Sequence, residues 1–145
     1  MAKDNQFLSK EEEQEIVAAI QTAELNTSGE IRIHIEATSK SEPYDRALEV
    51  FGELKMHATE QRNGVLLYIA ANDHQFAICG DEGIDNVVAN DFWDCTRDIM
   101  ASHFKKGDFK RGIVAGILNA GEQLKHFFPY QTDDTNELSN EISKG

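Results

Sequence analysis

The sequence predicts an α/β fold, a three-layer α/β/α sandwich built on a small mixed sheet of three to four strands and flanked by about four helices. Two strand signals and one pattern carry this. Glu30-Ile31-Arg32-Ile33-His34-Ile35-Glu36-Ala37 alternates polar and apolar residues throughout, the period of a strand with unequal faces. Val65 to Ala71 runs without polar interruption, as expected of a central strand covered on both faces. Segments of helical period precede, separate and follow these strands, so helices are expected on both sides of the sheet.

In chain order, Ser9-Lys10-Glu11-Glu12 forms a capping box that opens a first helix. Its stripe is Ile16, Ile20 and Ala23, flanked by Val17, and it ends near Leu25 before the turn residues Asn26-Thr27-Ser28-Gly29. After the first strand, Ser41-Glu42-Pro43 opens a second helix, with proline where its missing donor does no harm. Tyr44, Ala47, Leu48, Phe51, Leu54 and Ala58 mark its buried side. First strand, helix and second strand then make a parallel crossover unit. Asn72-Asp73-His74-Gln75 turns the second strand into an antiparallel third, Phe76 to Gly80. A continuous third helix is predicted from about Ile84 to His103, with Ile84, Val87, Val88, Phe92, Cys95 and Ile99 inward. Asp108 is placed to cap the last helix, whose inward stripe is Ile113, Ile117 and Leu124. Gly112, Gly116 and Ala120 form a small-residue ridge on it, read as close contact with the sheet. This makes residues 1–128 one domain, followed by an acidic tail, 129–145, with too few apolar side chains to offset the entropy of ordering.

The chain of 145 residues is long enough to hold itself together by its core, without disulfides or structural zinc. With 14 Lys and Arg against 26 Asp and Glu, its formal net charge is −12, which repels phosphate backbones and anionic lipid. Nucleic acid and membrane surfaces are therefore not expected as partners. Cys79 and Cys95 stand alone rather than as C-x-x-C and are read as reduced, packed thiols. With no apolar run near the roughly 20 residues of a membrane span, and no signal-like segment at the N-terminus, a cytoplasmic location is expected.

Chemistry is sought where this layout gathers polar residues. Two parallel strands and one returning strand bring Glu30, Asn63, Asp81, Glu82 and Asp85 to one rim of the sheet, with Asp91 two turns into the adjoining helix, on its inward stripe. Acids so crowded repel one another unless a hard cation such as Ca²⁺ or Mg²⁺ bridges some of them. The same Asp81, Glu82 and Asp85 equally suit a helix N-terminus, where carboxylates cap donors without a metal. The opposite rim carries Thr38, Ser39, Asn72, Asp73 and His74, a possible ligand set and also ordinary turn chemistry. Lys105 to Arg111 could hold a phosphate or balance the charge of an acidic protein. Arg32 and His34, on the polar face of the first strand, are expected to pair with helix carboxylates. Hydrolase, P-loop, dinucleotide and zinc-protease signatures are absent.

Four segments together carry a resemblance: Ser28-Gly29-Glu30-Ile31-Arg32-Ile33, Arg62-Asn63-Gly64-Val65-Leu66-Leu67-Tyr68-Ile69-Ala70, Ala77-Ile78-Cys79-Gly80-Asp81-Glu82-Gly83-Ile84, and Phe104 to Ile113. In order and spacing, from about Ser9 to Phe128, the chain resembles the TPM domain family, also called TPM phosphatase domains. The resemblance implies an α/β/α sandwich and a divalent-cation site of acidic side chains, carried here onto Glu30, Asp81, Asp85 and Asp91. Some relatives are assigned acid phosphatase activity; were this chain a metal-dependent phosphomonoesterase, the metal would polarise a phosphoryl oxygen and Asp81 or Asp91 would act as nucleophile or base. Between Gly80 and Gly83 this chain has Asp81-Glu82 where a single aromatic residue is frequent in the family. A cation-binding domain, a metal-dependent phosphomonoesterase and a metal-free protein-interaction module are the three expectations that result.

Overall fold

The computed structural model describes residues 7–130 and 139–144. Its elements are α1 (Lys10–Ala23), β1 (Glu30–Glu36), α2 (Pro43–Glu53), β2 (Gly64–Ala70), β3 (Gln75–Gly80), α3 (Glu82–Asp85), α4 (Asp94–Lys105), α5 (Phe109–Leu124) and β4 (Ser143–Lys144). The sheet order is β3-β2-β1-β4, with β1 parallel to β2 and to β4, and β2 antiparallel to β3. This is the mixed sheet expected, with the crossover and hairpin in their expected places.

The faces of the sheet divide the core in two. Ile31, Ile33, Ile35, Val65, Leu67, Ile69 and Ile78 meet Ile16 and Ile20 of α1, Ile113 and Ile117 of α5, and Met100 of α4. On the other face Leu66, Tyr68, Ala77 and Cys79 meet Ala47, Val50 and Phe51 of α2, with Met56 closing the end. Each fully buried aliphatic side chain contributes roughly 1.5–3 kcal/mol, so β2, buried at every position, anchors both layers. The capping box forms as expected: the Glu12 N–H donates to Ser9 Oγ at 3.1 Å, and the Ser9 N–H to Glu12 Oε1 at 2.9 Å.

Several expectations change. The predicted third helix is two, the single turn α3 and then α4, joined by turns through residues 86–93. Val87, Asn86, Asn90 and Asp91 have low helix propensity, and breaking the helix lets Trp93 enter the core while Val87 and Cys95 face solvent. Asp91, placed on the inward stripe by a continuous helix, is exposed. In α2, Tyr44 and Leu48 are largely exposed, and the buried stripe is Ala47, Val50 and Phe51.

The glycine ridge of α5 packs on helices rather than on the sheet. A Cβ on Gly112 would stand 2.4 Å from the Phe104 ring, and one on Gly116 2.6 Å from Met100 Cγ. Gly121 closes in the same way on Ala23 of α1.

Of the stretch expected to be an acidic tail, residues 131–138 and 145 lie outside the described residues. Residues 143–144 form β4 on the open edge of β1. Ile142 packs on the core, and Lys144 Nζ lies 2.7 Å from Glu13 Oε2.

Candidate functional site

β3 leaves the sheet at Gly80, and the next residue, Asp81, begins α3 from the N-cap position. Strand register fixes the place: Gly80 is paired with Val65, and the Asp81 N–H donates to Gly64 O at 2.9 Å. Asp81 is 3% exposed, so its carboxylate needs donors. Arg62 supplies a fork, Nε to Oδ2 at 2.9 Å and Nη2 to Oδ1 at 3.1 Å. The Glu82 N–H donates to Oδ1 at 2.7 Å, and His57 Nδ1 lies 3.2 Å from the same oxygen. His57 is itself held edge-on against Phe51. Burial alone would raise the Asp81 carboxyl, but the bonds from Arg62, Glu82 and His57 and the guanidinium charge hold it below the ordinary carboxylate range.

The corner is locked by backbone as well. Arg62 adopts φ 53°, and its carbonyl accepts from the Gly83 N–H at 2.9 Å while its side chain grips Asp81. A Cβ on Gly83 would lie 2.2 Å from Gln61 O and 2.5 Å from Arg62 O, a contact only glycine permits.

The other expected residues fall around this corner unequally. Asp85, one turn into α3, is exposed, and burial followed by the charge of Asp81 raises its carboxyl. Glu30 is at the same rim but two strands away, on the order of 10 Å at usual strand spacing. Its charged neighbour is Glu24, which burial, opposed by the Ile31 N–H and reinforced by Glu30, pushes up to about 7. Asp91 sits in the turns before α4. Among the described residues, no three His, Cys, Asp or Glu side chains are placed to hold a metal ion together. The structure thus couples Asp81 with Asp85 and sets Glu30 and Asp91 apart. Helix capping, the alternative reading of Asp81, is realised in its bond from Glu82.

At this corner the chemistry available is that of three carboxylates: Asp81 saturated with donors, Glu82 exposed and 3.3 Å from Arg62 Nη1, and Asp85 open to solvent. Cys79, nearby on β3, is buried, and burial with the charges of Asp85 and Asp81 pushes its thiol up to about 11, so it stays protonated at neutral pH. For Asp81 to act as a nucleophile, Arg62 would first have to release it.

A second polar group had no distinct signal in the sequence. On the α2 face of β1, Glu36 accepts from Arg46 Nε at 2.9 Å and Nη2 at 3.1 Å, accepts from the Tyr68 hydroxyl, and lies 3.0 Å from His34 Nε2. His34 Nδ1 is 2.8 Å from Ser143 Oγ. His34 therefore pairs within its own strand rather than with a helix carboxylate. At the opposite rim, Asp73 Oδ2 accepts from the Ser39 N–H at 2.8 Å, closing the loop ends as turn residues do.

A mixed four-stranded sheet between helical layers, with an acidic strand-to-helix corner, places the molecule among α/β/α sandwich domains. Within that class the chain belongs to the TPM domain family, whose profile matches residues 1–123. It is similar to the solution structure of the BA42 protein from the psychrophilic bacterium Bizionia argentinensis, with 53% identity, TM-score 0.93 and all of both chains covered. Its fold is shared with the N-terminal domain of the cg2496 protein from Corynebacterium glutamicum: TM-score 0.66, 13% identity, 81% of this chain and 74% of that one. It is shared too with the N-terminal domain of a protein from P. gingivalis: TM-score 0.65, 16% identity, 83% of this chain and 78% of that one. No curated protein matches the chain significantly. No helix among the described residues is long and apolar enough to cross a membrane.

Proposed function

We propose that this TPM domain binds a divalent cation, Ca²⁺ or Mg²⁺, at the corner between β3 and α3, with Asp85 and Asp81 as its anionic ligands. The observation that carries the reading is the placement of these two carboxylates on one turn of chain, Asp81 at the N-cap of α3 and Asp85 in its first turn, where burial first and the charge of Asp81 second raise Asp85. Hard cations take oxygen ligands, and Mg²⁺ in particular keeps several waters and is content with one or two carboxylates. Two protein ligands therefore suffice for a weak site, and Glu30 and Asp91 take no part in it.

Arg62 is the resident counter-charge of Asp81, and its side chain, which also lies 3.3 Å from Glu82 Oε2, is 37% exposed. A cation competes with it, so binding exchanges a guanidinium fork for metal coordination. The same reading places the domain in the cytoplasm, in keeping with the unjoined thiols Cys79 and Cys95.

Titration with Mg²⁺ and with Ca²⁺, followed by amide NMR, tests this. Shifts saturating at millimolar cation and concentrated at Asp81 to Asn86 and Arg62 are expected. Asp85→Asn should abolish them, and Arg62→Gln should strengthen binding by freeing Asp81. Shifts scattered over the acidic surface, or unchanged by Asp85→Asn, would remove the site.

A further inference from the structure

At the end of the sheet away from Asp81 lies a cavity of about 630 Å³, within the range of small-molecule sites. Its floor is the end of β2, at Ile69 and Ala70, both buried. Its walls are aromatic: Phe7, Phe76, Phe104 and Phe109, each partly buried. Phe104 is the keystone. Its ring stands perpendicular to Phe76 at 5.3 Å and tilted on Phe109 at 5.4 Å, and it lies where a Cβ on Gly112 would be. The exposed residues His74, Gln75 and Lys105 rim the opening.

The charge at this opening runs against the charge of the chain. The protein carries 26 acidic residues, yet among the described residues no carboxylate lines the cavity, and the described lining groups able to carry charge are His74 and Lys105. Lys105 has no ion pair among the described residues, a state it shares with Lys40, Lys55 and Lys106, and of the described lysines it is the one that lines the cavity. An aromatic well with an unneutralised cation at its mouth is complementary to one kind of molecule, an apolar body ending in one negative charge.

We propose that this cavity binds a small amphipathic monocarboxylate, with its hydrocarbon part among Phe76, Phe104 and Phe109 and its carboxylate at Lys105. The site is remote from the cation corner, at the other end of β2, and does not depend on it. Octanoate and its uncharged counterpart octan-1-ol are the probes, titrated into the full chain and followed by amide NMR. Shifts from both are expected to cluster at Phe76, Ala101, Phe104 and Phe109. Lys105→Gln should weaken octanoate by about fivefold, the reach of a partly exposed ion pair, and leave octan-1-ol unchanged. Phe104→Leu should weaken both. Dispersed shifts, or equal weakening of the two probes by Lys105→Gln, would overturn the proposal. So would the same residues shifting with protein concentration alone, which would assign the cavity to a second copy of the chain.

Discussion

Glu36 is gripped by Arg46, Tyr68 and His34 together, and its ionisation is tied to folding. Burial raises its carboxyl, but the hydrogen bonds from those three and the guanidinium charge bring it down to about 2 from an ordinary 4.5. A carboxyl lowered on folding stabilises the native state above its unfolded value, and that stability is lost as pH falls from about 4.5 to about 2. The loss is on the order of 3 kcal/mol at 1.36 kcal/mol per pH unit. Glu36→Gln is expected to be markedly less stable at pH 7 in urea unfolding, with the gap to the parent chain narrowing below pH 4. A gap that stays constant would exclude the linkage. Glu24 has the opposite sign. Raised to about 7 on folding, it costs nothing at pH 4 and lowers stability as pH climbs from 4.5 to about 7. Glu24→Gln, whose amide oxygen can still accept from Ile31, should raise the Tm at pH 8 and leave it nearly unchanged at pH 4. Neither network was legible in the sequence. Alternation along β1 marked His34 and Glu36 as polar and put them on one face, where they meet each other, but their other partners, Arg46, Tyr68 and Ser143, come from α2, β2 and β4, and nothing local to the strand names those. Asp81 was legible because turn chemistry and strand direction both put it at a rim.

At the scale of elements, glycines separate contacts that yield from contacts that do not. In a helix, Gly→Ala gains about 1 kcal/mol of propensity wherever the new methyl fits. At Gly116 the methyl would meet Met100 Cγ and Sδ at 2.6 Å, and this unbranched side chain can turn aside only within a filled core, so Gly116→Ala should lose about 1 kcal/mol or less. At Gly121 it would press on Ala23 Cβ at 2.9 Å and Cα at 3.3 Å, leaving only backbone to move, and α1 and α5 would be forced apart. Gly121→Ala is expected to lose roughly 1–3 kcal/mol, the usual range for overpacking. Gly83→Ala, aimed at two backbone carbonyls, should cost at least as much and should also loosen the Arg62–Asp81 fork. Thermal denaturation of the three variants would rank them, and equal stabilities would contradict the helix-on-helix account of the ridge. Helix α1 and the β2–β3 hairpin were readable because their signals, a capping box and a four-residue polar turn, are local. The break between α3 and α4 was not: hydrophobic spacing from Ile84 to Ile99 satisfies one helix as well as two. What decides is burial of Trp93, a tertiary effect.

Across the whole molecule, sheet order sets a gradient of stability. The layer order followed from periodicity alone, since an apolar run between helical segments has few alternatives, whereas β4 lay in a stretch whose composition resembles a tail. Its place depends on an open edge of β1 that no local pattern announces. β2 has hydrogen-bonded neighbours on both sides and a hydrophobic layer on both faces, so its amides reach water only when the layers separate. β4 pairs at His34 and Ile35 alone, and its Lys144–Glu13 contact joins side chains 58% and 25% exposed, worth little in water. Hydrogen exchange read by NMR should therefore give Leu66 to Ile69 the full unfolding free energy, and Ser143 and Lys144 exchange orders of magnitude faster. Because Ser143 is a partner of His34, opening of β4 would uncover one end of the His34–Glu36 pair without disturbing Arg46 or Tyr68 at the other. Protection of Lys144 equal to that of Leu67 would instead make the C-terminal strand part of the cooperative core, held by far more than its two paired positions can supply.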